Sequence, residues 1–420
     1  MANTLNLGTD GNWATKKDSL LAYNLENGNF KPLPFDFTRA SSATVVNKDG
    51  LIETVGSGKP RIDFTDDSKG ALKLEPTRSN LLTYSEDFSQ SYWSKVRVSI
   101  LSNQTISPNG TLTADLLTVT DTAENYVQTN APITVSGTKQ TVSCFVKKGT
   151  NDFAHILLWD TSSNGSRQWF DVSNGTIGSS TIFGSGISVD SASIENYGNG
   201  WFRCIVVFNC SFTSVRTRVS ASNGDGQTNG TIGKTIFIWG FQAESNSTYA
   251  TSYITTQGQS GGVTRVADNA YQQSVTQVIG QSEGTMFIEF IPKDSSALQI
   301  LYQAKSSSGV VGQIDIRLQS GLIRALANDG GGSQFFINGG SYAVGTKYKV
   351  AIRYKLNDSK LYINGTDSGS DTSCSFTGSS LDQVSFADSL SSFLPSVDII
   401  DSRLYNTALT DSELAALTKI

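Results

Sequence analysis

The 420-residue sequence predicts an all-β protein: tandem antiparallel β-sandwiches preceded by an irregular β-rich N-terminal segment. Short runs rich in β-branched and aromatic residues are the first observation. QTVSCFVKK, FAHILLWD, WFRCIVVFN, TIFIWGFQ, TMFIEFIP, GQIDIRLQ and KYKVAIRYK are each of strand length. Nine Asn-Gly pairs are the second, at Asn27, Asn109, Asn164, Asn174, Asn199, Asn223, Asn229, Asn338 and Asn364, a dipeptide suited to the positive φ angles of tight hairpins. The third is that no long stretch of helical period separates the runs, as a parallel sheet would require. Only the tail reads as a helix: Thr410 stands as N-cap, and Glu413 three residues on completes a capping box before Leu414.

The chain exceeds the size at which single cores stop growing, so two or three domains are expected. Residues 1–80 mix turn signals (GTDGN, NKDG, GSGKP, DDSKG) with brief extended pieces, too few for a core of their own, so this segment needs a neighbour. Residues 81–256 hold enough strands for one sandwich and 283–420 enough for another. Between them, 257–282 reads as a linker, flexible at QGQSGG.

Charged residues make up 16% of the chain, against about a quarter in an average soluble protein, so the surface is largely hydroxyl and amide. The net charge of -5 offers no basic footprint for DNA or RNA, so no nucleic-acid partner is expected. No apolar run is long enough to span a bilayer, and MANTLNLGTDGNW has neither a basic start nor an apolar centre, so no membrane insertion is expected. Cys144, Cys204, Cys210 and Cys374 lack the spacing of a zinc site and read as buried thiols. His155, the one histidine, lies inside a strand-like run and reads as structural.

Four stretches carry a resemblance: FTRASSATVVNKDGLIETV, KPRIDF, LKLEPTRSNLLTYSEDFSQSYWSK and WGFQAESNSTYATSYITTQGQSGGVTRVADNA. Together, over residues 35–270, they resemble a recurring arrangement in tailed-bacteriophage virion appendages: tail fibres, tailspikes and head fibres. The marks are Gln242 with Glu244, Thr251 to Ile254, and Thr264, Arg265 and Asp268. The resemblance implies a jelly-roll similar to carbohydrate-binding modules at 81–256, with 1–80 attaching to other virion proteins. In the C-terminal third, VAIRYKLNDSKLYINGT and DSRLYNTALTDSELAAL look like a concanavalin A-like, laminin-G-like sandwich. The resemblance further implies a virion protein, made in the host bacterial cytoplasm, that binds host surface glycans for adsorption; such appendages are commonly homo-oligomers, trimers above all. A purely structural decoration protein of capsid or tail is the first alternative and a polysaccharide depolymerase the second.

Enzymatic sugar hydrolysis needs two carboxylates about 5–10 Å apart. Glu289 and Asp294 in FIEFIPKD have the wrong parity for one strand face, QIDIRL offers only Asp315, and the Glu-x-Asp-x-x-Glu word of sandwich-fold glucanases is absent, so no catalytic residue is assigned. Sugar binding asks for aromatic platforms beside planar polar groups. Trp93, Tyr126, Trp159 and Trp169 are the candidate platforms, with Asp160, Arg167 and Gln168 as polar partners. Trp201 and Trp239 read as core, whereas Trp169, in the polar setting SRQWFD, is expected to be exposed. Related sandwiches often hold a structural calcium ion, for which Glu86, Asp87 and Asp115 are the candidate ligands; a solvated turn explains them equally well.

Overall fold

The computed structural model describes residues 5–11, 13–16, 19–24, 29–295, 298–307, 312–329, 332–375, 380–387 and 393–420, with side chains except at 10, 16–34 and 387. Strands dominate, their registered pairings among the described residues are antiparallel, and the chain forms two compact units. A terminal unit comprises residues 1–48, 55–77 and 266–420; a middle unit comprises 49–54 and 78–265. The seven runs singled out in the sequence all lie in strands. Their turns are less uniform than the Asn-Gly pairs suggest. Among the described residues, both members take positive φ only at Asn199-Gly200 and Asn364-Gly365, and Asn338-Gly339 lies inside the strand Gly332–Ser341.

The terminal unit is a sandwich built from both ends of the chain. One run of paired strands is Thr366–Asp371, Ser359–Ile363, Tyr348–Tyr354, Gly284–Pro292, Val397–Tyr405, Ala71–Leu74 and Ile62–Asp63. A second is Gly332–Ser341, Leu322–Asp329, Gln313–Gln319, Gln299–Lys305, Gln383–Ala387, Asn269–Gln273, Asn29–Thr38 and Ser19–Asn24. Leu5–Leu7 pairs with a member of each. The helix Asp411–Thr418 closes the chain on the predicted capping box, Thr410 Oγ1 accepting from Glu413 N at 3.3 Å and Glu413 Oε2 from Thr410 N at 2.8 Å.

The N-terminal segment finds the neighbour it needs: Leu5, Leu7, Phe35, Phe37, Leu72 and Leu74 bury in one core with Met286, Ile288, Tyr302 and Leu404. The expectation of a free linker at residues 257–282 is corrected. Val263–Arg265 pairs with Arg78–Asn80, and Asn269–Gln273 is a sheet strand with Ala270 fully buried. Gly262 is part of this docking: its φ is +85°, and a Cβ there would meet the Asn80 carbonyl oxygen at 2.0 Å.

The stretches that carry the resemblance meet in buried polar stations. In the terminal unit, Asp268 accepts from Arg39 Nη1 at 3.0 Å, from Arg61 Nη2, and from the Glu75 amide at 2.9 Å. Arg61 Nη1 also reaches Glu75 Oε2 at 2.7 Å, while Arg39 donates to the Ser41, Lys59 and Gly56 carbonyls. In the middle unit, Gln242 Oε1 accepts from Ile254 N at 2.7 Å, and Glu244 accepts from the Thr251 hydroxyl at 2.6 Å and its amide at 3.1 Å. Buried charges survive only when paired and hydrogen-bonded, so these words encode architecture.

The middle unit is a sandwich of a six-stranded and a seven-stranded sheet. The first runs Val98–Ile106, Leu112–Val119, Thr235–Ser245, Lys139–Lys148, Trp201–Cys210, Ile187–Asn196. The second runs Trp93–Val96, Tyr126–Thr129, Ser214–Ser222, Phe153–Trp159, Gly165–Asp171, Thr176–Phe183, with Ile133–Thr134 beside Ser214–Ser222. Alternation divides each strand between two faces. Ala154, Ile156, Leu158, Phe170, Val215, Val219 and Ala221 enter the core, with Trp93, Cys144 and Cys204. All four cysteines are free and buried.

Candidate carbohydrate-binding face

The other face of the seven-stranded sheet gathers cations and aromatic rings. In SVRTRVSAS, valines alternate with Arg216 and Arg218, so both arginines stand on the face turned away from the core. Leu157 lies in register between Arg218 on one neighbouring strand and Arg167 on the other, and Trp159 pairs with Arg216. Arg218 is wedged among aromatic and amide partners. Its Cζ is 3.9 Å from the Tyr126 ring centre and 4.5 Å from that of Trp159, and its Nε donates to Gln128 Oε1 at 2.7 Å. Arg167 places its Cζ 5.3 Å from the Phe183 ring centre and 5.8 Å from that of Trp169.

Glu124 is the acid between them. Its Oε1 lies 3.1 Å from Arg167 Nη1 and 3.8 Å from Arg218 Nη1. Burial holds both guanidinium groups below the usual arginine range, and for Arg218 the charges of Arg167 and Arg216 push the same way. The same positive field reaches His155, pushed down to about 3 by burial and by Arg167 and Arg218. His155 is therefore a neutral ring at any physiological pH, its Nδ1 2.8 Å from the Ser222 hydroxyl. Among the described residues, Trp159 Nε1, Arg167 Nε and Arg216 Nε are buried atoms without a hydrogen-bond partner. Buried polar atoms of this kind call for a water, an ion or a ligand as partner.

Of the residues expected to bind sugar, the structure brings Tyr126, Trp159 and Arg167 together, all half-buried, with Asp160 at the end of the Trp159 strand. Asp160 serves its own turn, accepting from the Ser162 and Asn164 amides at 2.9 and 3.0 Å. Trp169 is 1% exposed, not open as expected: its Nε1 donates to the Gln227 carbonyl at 2.7 Å, and His155 lies against it at 5.3 Å. It stands on the right face but is roofed by chain near Gln227. Trp93 is a core residue, 2% exposed, stacked on Phe241 at 5.6 Å. Gln168 turns away, its Nε2 donating to the Trp169, Gly178 and Ser179 carbonyls. Trp201 and Trp239 are core, as read from the sequence. Arg216, Arg218, Glu124 and Gln128 are missed by that reading, although the period-two Val/Arg alternation signals the first two.

The proposed calcium ligands do come together. Glu86, Asp87 and Asp115 line a cavity of about 300 Å³ with Tyr84, Ser102, Asn103, Thr113, Thr256 and Gln257. Their oxygens are engaged elsewhere, however. Asp115 accepts the Phe88 and Asn103 amides at 2.8 and 3.0 Å, Asp87 accepts from Ser89 and Gln90, and Glu86 accepts from the Tyr253 hydroxyl. Burial pushes Asp115 up to about 6, and no metal-binding group of three acids, histidines or cysteines occurs among the described residues. These residues do not fit calcium, which takes six to eight oxygens. Two of the acids weighed for hydrolysis are held by cations: Glu289 lies 3.6 Å from Lys347 and 3.7 Å from Lys349, and Asp315 receives both Arg317 Nε and Nη2.

No protein-family model matches the sequence, and no curated protein matches it. Among solved structures, the chain is similar to a family 40 carbohydrate-binding module of the Ruminococcus gnavus IT-sialidase, bound to alpha2,3 sialyllactose. The identity is 18% over 35% of this chain and 91% of that one, with a TM-score of 0.31. It is also similar to domain 4 of the extracellular arabinanase AbnA of Geobacillus stearothermophilus, in complex with arabinotriose: 17% identity, 36% and 73% coverage, TM-score 0.30. Trypanosoma rangeli sialidase aligns at 10% identity over 95% of this chain and 81% of that one, TM-score 0.30.

Proposed function

We propose that the protein is a glycan-binding component of a tailed-phage virion, and that the arginine-aromatic face of the middle unit is its binding surface. The carrying observation is the convergence of Tyr126, Trp159, Arg167, Arg216 and Arg218 on one sheet face, with ring surface partly open and polar atoms left unpaired. Pyranose rings pack their C–H faces on aromatic side chains, while guanidinium and amide groups meet vicinal oxygens. Of the acids weighed for hydrolysis, Glu289 and Asp315 are paired with lysine or arginine, which favours binding without catalysis.

The virion reading rests on the sequence words between residues 35 and 270. Within it, the terminal unit attaches the protein to the particle, and copies held together, as a trimer or otherwise, strengthen individually weak contacts by about 10² to 10⁴ through avidity. The test is a glycan array probed with the whole chain and with Trp159→Ala. Binding by the parent and loss in the variant are expected; a blank array for the parent overturns the reading. An antibody to the chain applied to particles of the phage encoding it tests the virion assignment, and unlabelled particles overturn that part alone.

A further inference from the structure

The charge on the candidate face is out of keeping with the rest of the molecule. The chain as a whole carries -5, yet this face sets the guanidinium groups of Arg167, Arg216 and Arg218 against the single carboxylate of Glu124. Acids elsewhere on the sheet's turns do not redress the balance. Asp160 is tied to Ser162 and Asn164, Asp171 to Ser173 and Asn174, and Asp225 to Ser179. Glu124 serves Arg167 and Arg218, but not Arg216. Among the described residues the Arg216 side chain makes no hydrogen bond and no ion pair, and its Nε is buried without a partner. It is half-buried, and it stands in register beside Trp159, whose Nε1 is likewise unpaired.

The Arg216 Nε–H and the Trp159 indole N–H, on neighbouring strands, are donors without an acceptor. The planar guanidinium fork matches a carboxylate through two parallel N–H···O bonds, which a neutral hydroxyl cannot reproduce. We propose that the face selects carboxylate-bearing saccharides, Arg216 taking the carboxylate and Trp159 the adjoining sugar ring. This rests on the glycan-binding reading above and narrows it to acidic sugars. Arg218 is the positioning residue: stacked on Tyr126 and Trp159 and fixed by Gln128, it holds the indole in place and adds to the field.

The experiment compares tetragalacturonate, a hyaluronan tetrasaccharide and sialyllactose, each beside its methyl ester, on the whole chain by calorimetry. The free acid of at least one pair is expected to bind about tenfold or more tighter than its ester. That preference should weaken between about 50 and 500 mM NaCl as the charge contribution is screened. In Arg216→Gln the acid-to-ester ratio should fall to about one; Arg216→Lys should keep the salt dependence and lose much of the tightness. Near-UV circular dichroism confirms that both variants remain folded. Esters binding as tightly as acids, or an unchanged ratio in Arg216→Gln, overturns the inference. A chain that binds neutral oligosaccharides at this face and ignores acids overturns it while leaving glycan binding intact; a chain that binds no saccharide overturns both.

Discussion

Asp115 is 1% exposed, ties down two backbone amides, and has its carboxyl pushed up to about 6 by burial. Its folded value lies above the unfolded one of about 3.9, so the native state binds the extra proton in between. The contribution of this group to stability is full below about pH 4 and is lost as pH rises through about 6. Urea denaturation of Asp115→Asn, which does not titrate, should therefore show stability relative to the parent rising across that window and flat above it; a pH-independent difference contradicts the assignment. Arg218 gives a second residue-scale expectation. Lysine there keeps the charge but loses the Gln128 bond and the flat stack on Tyr126 and Trp159, at a cost of about 1–2 kcal/mol in the same assay. No loss would mean that the stack is ornamental. Why such residues are only partly legible in sequence is plain from Trp169. Its polar neighbours SRQWFD reflect the strand's outward face correctly, but the chain near Gln227 that covers it is some sixty residues away.

At the scale of elements, strands and the closing helix were readable because their signals are local. FAHILLW and WFRCIVVFN carry their own β-propensity, and the capping box at Thr410 needs only four residues. The Asn-Gly pairs misled, because Asn338-Gly339 runs straight through a strand whose pairing with Leu322–Asp329 outweighs turn preference. Equally hidden was the purpose of the words KPRIDF, LKLEPTRSN and TRVADNA: they bring Arg61, Glu75 and Asp268 into one buried ionic station. Removing one member leaves uncompensated buried charge. Asp268→Ala should cost about 3–5 kcal/mol by thermal or urea unfolding, against about 1 kcal/mol for Thr410→Ala at the exposed helix cap. A small effect at Asp268 would show that the network is solvated.

At the scale of the molecule, the chain's order and its units disagree. The first 48 residues and 55–77 fold with 266–420, while 78–265 encloses its own core between two sheets. Linear segmentation missed this because a strand run says nothing about which distant partner it will pair with; Leu72 and Leu74 find Val397 and Ile399 across more than 300 residues. The fragment 78–265 should accordingly unfold in one cooperative transition, and 266–420 alone, lacking Phe35, Phe37, Leu72 and Leu74 from its core, should not. Cooperative folding of 266–420 by itself would refute the shared core. The central claim concerns the middle unit, and a crystal structure of the whole chain soaked with its strongest array ligand tests it most directly. The account predicts saccharide density against Tyr126 and Trp159 with an acidic group on Arg216. Density on the terminal unit, or on the opposite sheet of the middle unit, would contradict it.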